Sequence, residues 1–410
     1  MLTSMYSGLS GLDANGTALS VIGNNIANVN TVGFKGSDVL FEDMLGAAVA
    51  GEQIGQGVSV GSIISSFSQG AFENTNSTTD LAISGDGFFA VSDGLGTYYT
   101  RAGRFLFDAN GTLVTPQGMT VQGWLATPDG TINTNGQPVN LAVGAAVSPP
   151  SASTSFKLDM NLNAEAIAAD SAATPPTLGE TFSTTVQAYD SKGGTITLTI
   201  DMEYMGNGQW NWTASAAGGT TADAGSLQFD SNGQLVSTTT DQTIAIGNLA
   251  NGAEPLTLTW DLVNDTGTPN NSVTSFASPS VINGQSQDGY GVGYLQGVAV
   301  NSTGEISGFF SNGQNRNLGQ VALADFRSPW GLVSLGQGAY AASLASGEAA
   351  YGAAGSGGRG DISSGALELS NVDLAKEFVK MITAQRGFQA NSRVITPSDE
   401  LLTDVVNLKR

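Results

Sequence analysis

Helical patterning is confined to the two ends of this chain, and that placement limits what it can fold into more than any other feature. Met5, Leu9, Leu12, Gly16, Leu19, Ile22, Ile26 and Val29 follow one another at spacings of four and three, an a/d-like seam that predicts a helix over residues 3–29. At about 1.5 Å rise per residue it would be ~40 Å long. A second seam runs through Leu374, Phe378, Met381, Gln385, Phe388, Ser392, Ile395, Asp399, Leu402 and Val406. Two seamed helices at opposite termini, each too apolar to stand alone, most simply pair with each other, so the chain leaves through one helix and returns through the other. Three nominal core positions of the second seam, Gln385, Ser392 and Asp399, are polar, and polar seam residues can fix register at a cost in stability. Thr396-Pro397-Ser398-Asp399 resembles a fresh helix start, which predicts a kink or short break there.

The outer face of the first helix is Ser, Thr, Asn, Gly and Ala, with glycines at 8, 11, 16 and 23. Each helical glycine costs about 1 kcal/mol relative to alanine, and a solvated helix normally wears charge. Small uncharged residues all round imply packing against neighbours on more than one side, and so self-assembly. Both terminal helices are then expected to be largely disordered in the isolated monomer. Asn24, Asn25, Asn28 and Asn30 compete for backbone hydrogen bonds, and Gly33 ends the pattern.

Between the ends the period changes to two. LAISGDGFFAV from residue 81, then TYYTRAGRFLFDANGTLVTPQGMTVQGW, alternates apolar and polar residues between Gly-rich turns. The pattern F-D-x-N-G-x-L occurs at Phe107–Leu113 and again at Phe229–Leu235, and Val300–Ile306 carries a relative of it. These read as hairpins; a calcium site at Asp108 and Asn110 is the alternative, but the closing Glu of a calcium loop is missing. Residues 146–285 look like an inserted module, entered through SPPSAST and a Thr/Ala/Pro tract. TFSTTVQAYD, TITLTIDMEYM and WNWTASA within it predict a three-stranded meander, with Trp210 and Trp212 on one face as core or, alternatively, a sugar platform. The expected fold is mainly β and multi-domain with paired N- and C-terminal α-helices. Residues 1–34 and 366–410 would form a terminal helical domain. Residues 35–145 and 286–365 would form an inner β domain with an extended loop near 35–75, and residues 146–285 an outer β domain.

Charge and composition remove several functions. Of the net charge of −21, essentially all lies between residues 35 and 365, which hold 28 acids and 8 bases. No basic stripe is available to displace phosphate counterions, so no nucleic-acid partner is expected. With no histidine and no cysteine, Ser-His-Asp triads, cysteine nucleophiles and Cys/His metal sites are excluded. No catalytic carboxylate pair is recognisable, so no enzyme and no cofactor are expected. No window is apolar enough to span a membrane. The N-terminus lacks the positive and apolar regions of a cleaved signal peptide, which leaves the cytoplasm or export by a route that reads no such signal.

The runs NNIANVNTVGFK (24–35) and LELSNVDLAKEFVKMITAQRGFQANSRVI (367–395) resemble the terminal signatures of the bacterial flagellar axial rod and hook proteins. LAISGDGFFAV, YTRAGRF and GTLVTPQGMTVQGW are similar to their shared inner β domain. The size of the insertion, followed by GYLQGVAVNSTGEISGFFSNGQNRNLGQVALADFRSPWGL, resembles the hook branch of that family. The resemblance implies a structural subunit that self-assembles into a curved, flexible tube joining rod to filament and transmitting torque. It implies export through the flagellar type III apparatus, an extracellular place in the hook region, and contacts with rod, hook cap and hook–filament junction proteins. The residues it implicates in assembly are Asn24, Asn25, Ala27, Asn28, Thr31, Gly33 and Phe34 at one end. At the other they are Ser370, Asn371, Val372, Asp373, Gln385, Arg386, Gln389, Ala390 and Asn391. The seam residues Leu9, Leu12, Leu19, Ile22, Ile26, Leu374, Phe378, Met381, Phe388 and Ile395 join them. A distal rod subunit is the alternative within the family. A secreted β-rich adhesin or carbohydrate-binding protein is the alternative outside it, fed by Arg359-Gly360-Asp361.

Overall fold

The computed structural model describes residues 2–45, 55–170, 172, 177–236 and 238–407. It divides into two compact units: one formed by residues 1–146, 297–309 and 315–410, the other by residues 147–296 and 310–314.

In the first unit, helix α1 (Leu2–Ala27) and helix α2 (Leu374–Asn407) lie side by side. The α1 helix ends where Asn28 and Thr31 take over the backbone bonds: Asn28 N–H donates to the Asn24 carbonyl and Thr31 N–H to that of Asn28. Two residues on, Gly33 adopts φ +69°, and a Cβ there would sit 2.6 Å from the Arg101 carbonyl carbon, so only glycine fits. The α2 helix starts at Leu374, capped by Asp373, whose Oδ1 accepts from Ala375 N–H (2.9 Å) and Lys376 N–H (3.3 Å). Ahead of it, Ala366–Glu368 is a strand paired with Phe72–Asn74, so the helix itself begins later than the start of the expected helical domain at 366. The predicted break at Pro397 is absent: α2 runs through it as one helix, losing only the hydrogen bond that proline cannot donate. The side chains of Asp399, Leu402 and Val406 lie outside the described residues.

The extended loop expected near 35–75 is instead largely a hairpin. Strands β1 (Ser37–Leu45) and β2 (Gly55–Ser65) pair antiparallel, with irregularities after Leu40 and Asp43. The hairpin lies on α1, where Val58 N–H donates to Ser10 Oγ (3.2 Å). Broken alternation at those two irregularities is why the sequence read as a loop.

The β body of this unit explains the run FFAV. Strand Phe88–Ser92 sits between Thr97–Thr100 and Thr120–Leu125 and is covered on both faces. Phe89 and Val91 join Leu81, Ile83, Phe105, Val121, Val321 and Ile362 in one core. Phe88 and Ala90 point the other way, into a cluster with Tyr99, Phe326 and Tyr340.

The second unit is a two-layer β-sandwich. Thr181–Tyr189, Thr195–Gly206 and Gln209–Ala216 form the predicted meander, and Ala224–Gln228 adds a fourth strand. The facing sheet contains Ser155–Asn161, Gln242–Ile246, Leu256–Trp260, Val273–Thr274 and Val281–Gln287. Alternate residues of both sheets share one core: Ile196, Leu198 and Ile200 from the meander pack with Leu158, Ile244 and Leu258 from the facing sheet. Trp210 and Trp212 are fully buried within it, so they fill the core and offer no sugar platform. The recurrent Asp/Asn-Gly turns are built alike in both units. Asp108 Oδ1 accepts from Asn110 and Thr112 N–H, Asp230 Oδ1 from Asn232 and Gln234 N–H, and Asn301 Oδ1 from Thr303 and Glu305 N–H. These acceptors fold the turn itself, which removes the reason for the calcium reading.

Candidate functional site

The terminal helices run antiparallel, and they meet through small residues. Gly8 faces Val394 and Ile395, Gly11 faces Asn391, Asn15 faces Gly387, and Ala18 and Ile22 pack with Ala384 and Met381. A Cβ on Gly11 would lie 2.9 Å from Asn391 Cγ, and one on Gly387 would lie 2.7 Å from Asn15 Oδ1. Absence of Cβ at these crossings is what lets the two backbones approach.

The seam actually packed therefore differs from the seam of large apolar residues. On α1 it is Gly8, Gly11, Asn15, Ala18, Ile22 and Asn25; on α2 it is Glu377, Met381, Ala384, Gly387, Asn391 and Ile395. Ile22, Asn25, Met381, Asn391 and Ile395 belong both to it and to the expected set. Leu9, Leu374, Phe378, Gln385 and Phe388 were expected in the intramolecular seam and lie exposed, and a Cβ on Gly16 would meet nothing within 4 Å. Leu12 is half-buried, while Leu19 and Ile26 pack at the edge of the crossing beside Val39 of β1. The physical reason is competition between two heptad-like rows one residue apart: the row of small residues gives the closer backbone approach, and the large row turns outward. Val379 and Ile382 on α2 and Tyr6 on α1 are exposed as well. A groove of about 330 Å³ remains between α1, β1 and α2, lined by Asn15, Ile22, Val39, Val379 and Ala384.

Below the crossing the polar residues converge. Asn25 is buried; its Nδ2 donates to the Ser37 carbonyl (2.8 Å) and to Glu377 Oε2 (3.1 Å), and its Oδ1 accepts from Ser37 N–H (2.9 Å). Lys380 Nζ bridges Glu377 Oε1 (2.9 Å) and Asp38 Oδ1 (2.5 Å). Partial burial would lower the Lys380 pKa, but its bonds to these two carboxylates outweigh that and hold it above the ordinary lysine value. Asn371 works similarly on the other segment. Its Oδ1 accepts from Gly36 N–H (2.9 Å), and its Nδ2 donates to the carbonyls of Ser66 (2.8 Å) and Ser68 (3.1 Å). Gly33 N–H donates to the Glu368 carbonyl (2.8 Å), Val372 lies beside Gly36, and Phe34 is half-buried. Asn24, Asn28 and Thr31 bond one another at the helix end: Asn28 Nδ2 donates to the Asn24 carbonyl, and Thr31 Oγ1 to Asn28 Oδ1. Arg386 is exposed.

Sequence reasoning passed over Lys35, Arg101 and Glu368, which are buried together beside this junction. Lys35 did carry a signal, being the first base after 34 residues holding a single charge. Arg359 bonds inward, to the Ala353 carbonyl (3.3 Å) and Ser356 Oγ (3.1 Å), which ties the Arg-Gly-Asp triplet into its own turn. Among the described residues no group of His, Cys, Asp or Glu is placed to hold a metal, and no helix is long and apolar enough to cross a membrane.

Comparison with known proteins accounts for each part of this architecture. Residues 5–35 match the family profile "Flagella basal body rod protein", and residues 363–408 match "Flagellar basal body rod FlgEFG protein C-terminal". Residues 82–160 match "Flagellar hook protein FlgE/F/G D1 domain", and residues 161–290 match "Flagellar basal body protein FlaE D2 domain". The flagellar hook protein FlgE of Borreliella burgdorferi is 36% identical over 443 residues, covering 100% of both chains. FlgE of Escherichia coli is 36% identical over 410 residues and FlgE of Salmonella typhimurium 36% over 412, each alignment covering 98% of both chains. Full-length relatives that are hook proteins leave the distal-rod and adhesin readings without comparable support. The chain belongs to the flagellar hook protein family, whose members are structural subunits of the bacterial flagellar hook.

Proposed function

We propose that copies of this chain polymerise through the outward faces of α1 and α2, with the small-residue seam holding each pair together from within. The observation that carries this is the exposure of large apolar side chains on helices already packed: Leu9 is 53% exposed, Phe378 49% and Ile382 57%. Isolated apolar side chains at a surface are ordinary, but a row along two adjoining helices marks an interaction site. Burying the remaining exposed half of each in a neighbouring copy would contribute about 1 kcal/mol.

In this reading the helices form the close-packed inner part of a tube and the β domains lie outside it in two tiers, the inner from residues 35–145 and 286–365 and the outer from 146–285. Few strong contacts between neighbouring outer domains let one side of the tube shorten while the other lengthens. The acidic outer body limits lateral bundling of hooks. Export through the type III apparatus without a cleaved signal, and contacts with rod, cap and hook–filament junction proteins, follow from the same reading.

The test is electron microscopy of flagella from cells carrying Phe378→Asp, Ile382→Asp or, as a control on an exposed β turn, Leu95→Asp. Loss of hooks in the two helix variants and normal hooks in the control is the expected result. Normal hooks in both helix variants would reject the proposed interface.

A further inference from the structure

Lys35, Arg101 and Glu368 lie beside the junction with at most 2% of any side chain exposed, and neither the helix crossing nor the outward apolar faces uses them. They come from three segments: the turn after α1, the loop following strand Thr97–Thr100, and the strand leading into α2. Glu368 Oε1 accepts from Lys35 Nζ (2.6 Å) and from Gly70 N–H (2.9 Å), while Oε2 faces Arg101 Nη1 at 3.4 Å. The Lys35 ammonium also donates to the Ser68 carbonyl (2.8 Å). Arg101 Nη2 donates to the Gly85 carbonyl (2.9 Å), and its guanidinium sits 5.2 Å from the Phe88 ring centroid.

Such a cluster is a poor source of stability. Withdrawing three ions from water costs heavily, and apolar residues of similar volume often serve as well or better. Its geometry, however, admits one alignment. Strand Ala366–Glu368 pairs with Phe72–Asn74 over three residues, and the bonds from Thr75 N–H to the Gly365 carbonyl and from Leu369 N–H to the Ala71 carbonyl extend that ladder by one step at each end, a short ladder on which to fix register. A slip of one residue would turn Glu368 to the opposite face and leave two buried cations without their anion. The same slip would put Leu367 or Leu369 in its place, against the two cations. Burial pulls the Lys35 pKa below the ordinary lysine value while Glu368 pulls it back up, as expected for a cation held in place by one carboxylate.

We infer that Lys35, Arg101 and Glu368 are positioning residues that lock both terminal segments in one register on the β body, and that they do so without adding net stability. The segments they fix lead directly into α1 and α2, so the lock sets where each helix leaves the β body. Lys35 and Glu368 lie on the stretches of chain that join the two helices to the rest of the fold. The inference is thus independent of the polymer contacts proposed above.

The chain has no cysteine, so spin labels can be attached at Thr31→Cys and Leu95→Cys alone, two exposed sites on either side of the lock. Pulsed electron resonance on labelled chain diluted with unlabelled chain of the same sequence in assembled polymer, where the terminal helices are ordered, then reports the spread of distances, and calorimetry of the unassembled chain the thermal midpoint. Three variants are compared with the labelled parent: E368Q, K35R, and the triple K35M/R101M/E368M. The parent and K35R should give one narrow distribution. The triple should at least double the width, or add a second population, while melting no lower than the parent. E368Q, which strands two buried cations, should both broaden and melt lower. A narrow distribution in the triple variant, or a triple that melts below the parent, would overturn the inference.

Discussion

Asn25 and Glu377 stand 352 residues apart in the chain and share a hydrogen bond of 3.1 Å at the buried foot of the helix crossing. The same asparagine holds both backbone polar atoms of Ser37, at 2.8 and 2.9 Å. One small side chain thus ties α1, α2 and β1 together. It does so because an amide carries two N–H donations and a carbonyl acceptor on one side chain, whereas a carboxylate only accepts and a hydroxyl donates once.

Replacing Asn25 by Ala should therefore cost more than its size suggests. Ser37 N–H and a Glu377 oxygen lose a buried partner together, at about 1–3 kcal/mol for each group left unsatisfied. Asn25→Asp should be no better, since it places a second carboxylate against Glu377. Amide exchange at Ser37 in assembled polymer is the readout: at least tenfold faster exchange is expected in Asn25→Ala, and an unchanged rate would show that the triple link contributes nothing.

Glycines on α1 should divide by position. Gly→Ala in an exposed helix ordinarily stabilises by about 0.5–1 kcal/mol. At Gly11 the added methyl would press on Asn391, and overpacking costs about 1–3 kcal/mol. At Gly16 and Gly23 nothing lies within 4 Å of the new methyl, so the helix should gain within a single chain. Polymer contacts supply the sharper test. If neighbouring copies pack against this side of α1, Gly16→Ala should raise monomer helicity by circular dichroism and yet slow polymerisation. A rise in both would place Gly16 on an uncovered face.

Much of this was legible in the sequence and some of it could not be. The alternation through Thr195–Gly206 marked its buried face, because a strand with one face on a core must repeat every two residues. The pairing of the ends was equally legible. The seam was not. Leu9 and Phe378 are the residues that burial would favour in an isolated helix pair, whereas Gly11, Ala18 and Ala384 are what the pair uses. Hydrophobic periodicity shows which residues need covering, and it does not say whether the cover comes from the same chain or from another copy. The lock escaped for a different reason. Lys35, Arg101 and Glu368 sit in separate segments whose proximity arises only from tertiary folding, and a single charged residue in a sequence normally means solvent.

The same seam limits what the helices can do alone. Ala18, Ile22 and Ala384 are the buried apolar residues where the described parts of α1 and α2 cross. Full burial of one isoleucine contributes about 1.5–3 kcal/mol, whereas ordering a backbone costs about 1–2 kcal/mol per residue. Helices of this composition then depend on further partners. In dilute monomer, amides of Leu2–Ala27 should exchange at close to free rates while those of Thr195–Gly206 stay protected. In polymer both should be protected. Strong protection of α1 in dilute monomer would contradict this.

Acid should unfold the inserted sandwich through identifiable carboxylates. Asp288 Oδ1 accepts from Thr154 N–H (2.8 Å) and Ser155 N–H (3.0 Å), and its other oxygen takes the Thr154 hydroxyl. Asp190 binds the backbone of Lys192 and Gly194 (both 2.8 Å) and the Asn251 amide. Partial burial would raise both pKa values, but these donors outweigh it and hold each carboxyl below its ordinary 3.8. A folded-state pKa depressed in this way contributes stability that is complete above the unfolded value and disappears as pH falls through the folded one. The sandwich should hence keep its thermal midpoint from neutral pH down to about 4 and lose it progressively below. Trp210, Trp212 and Trp260 all lie in its core, so tryptophan fluorescence follows the transition. Asp288→Asn should lower the midpoint at pH 7 and flatten its fall between pH 4 and about 2, because one proton fewer is taken up on unfolding. An Asp288→Asn chain with the parent's acid slope would mean that Asp288 does not contribute to the transition.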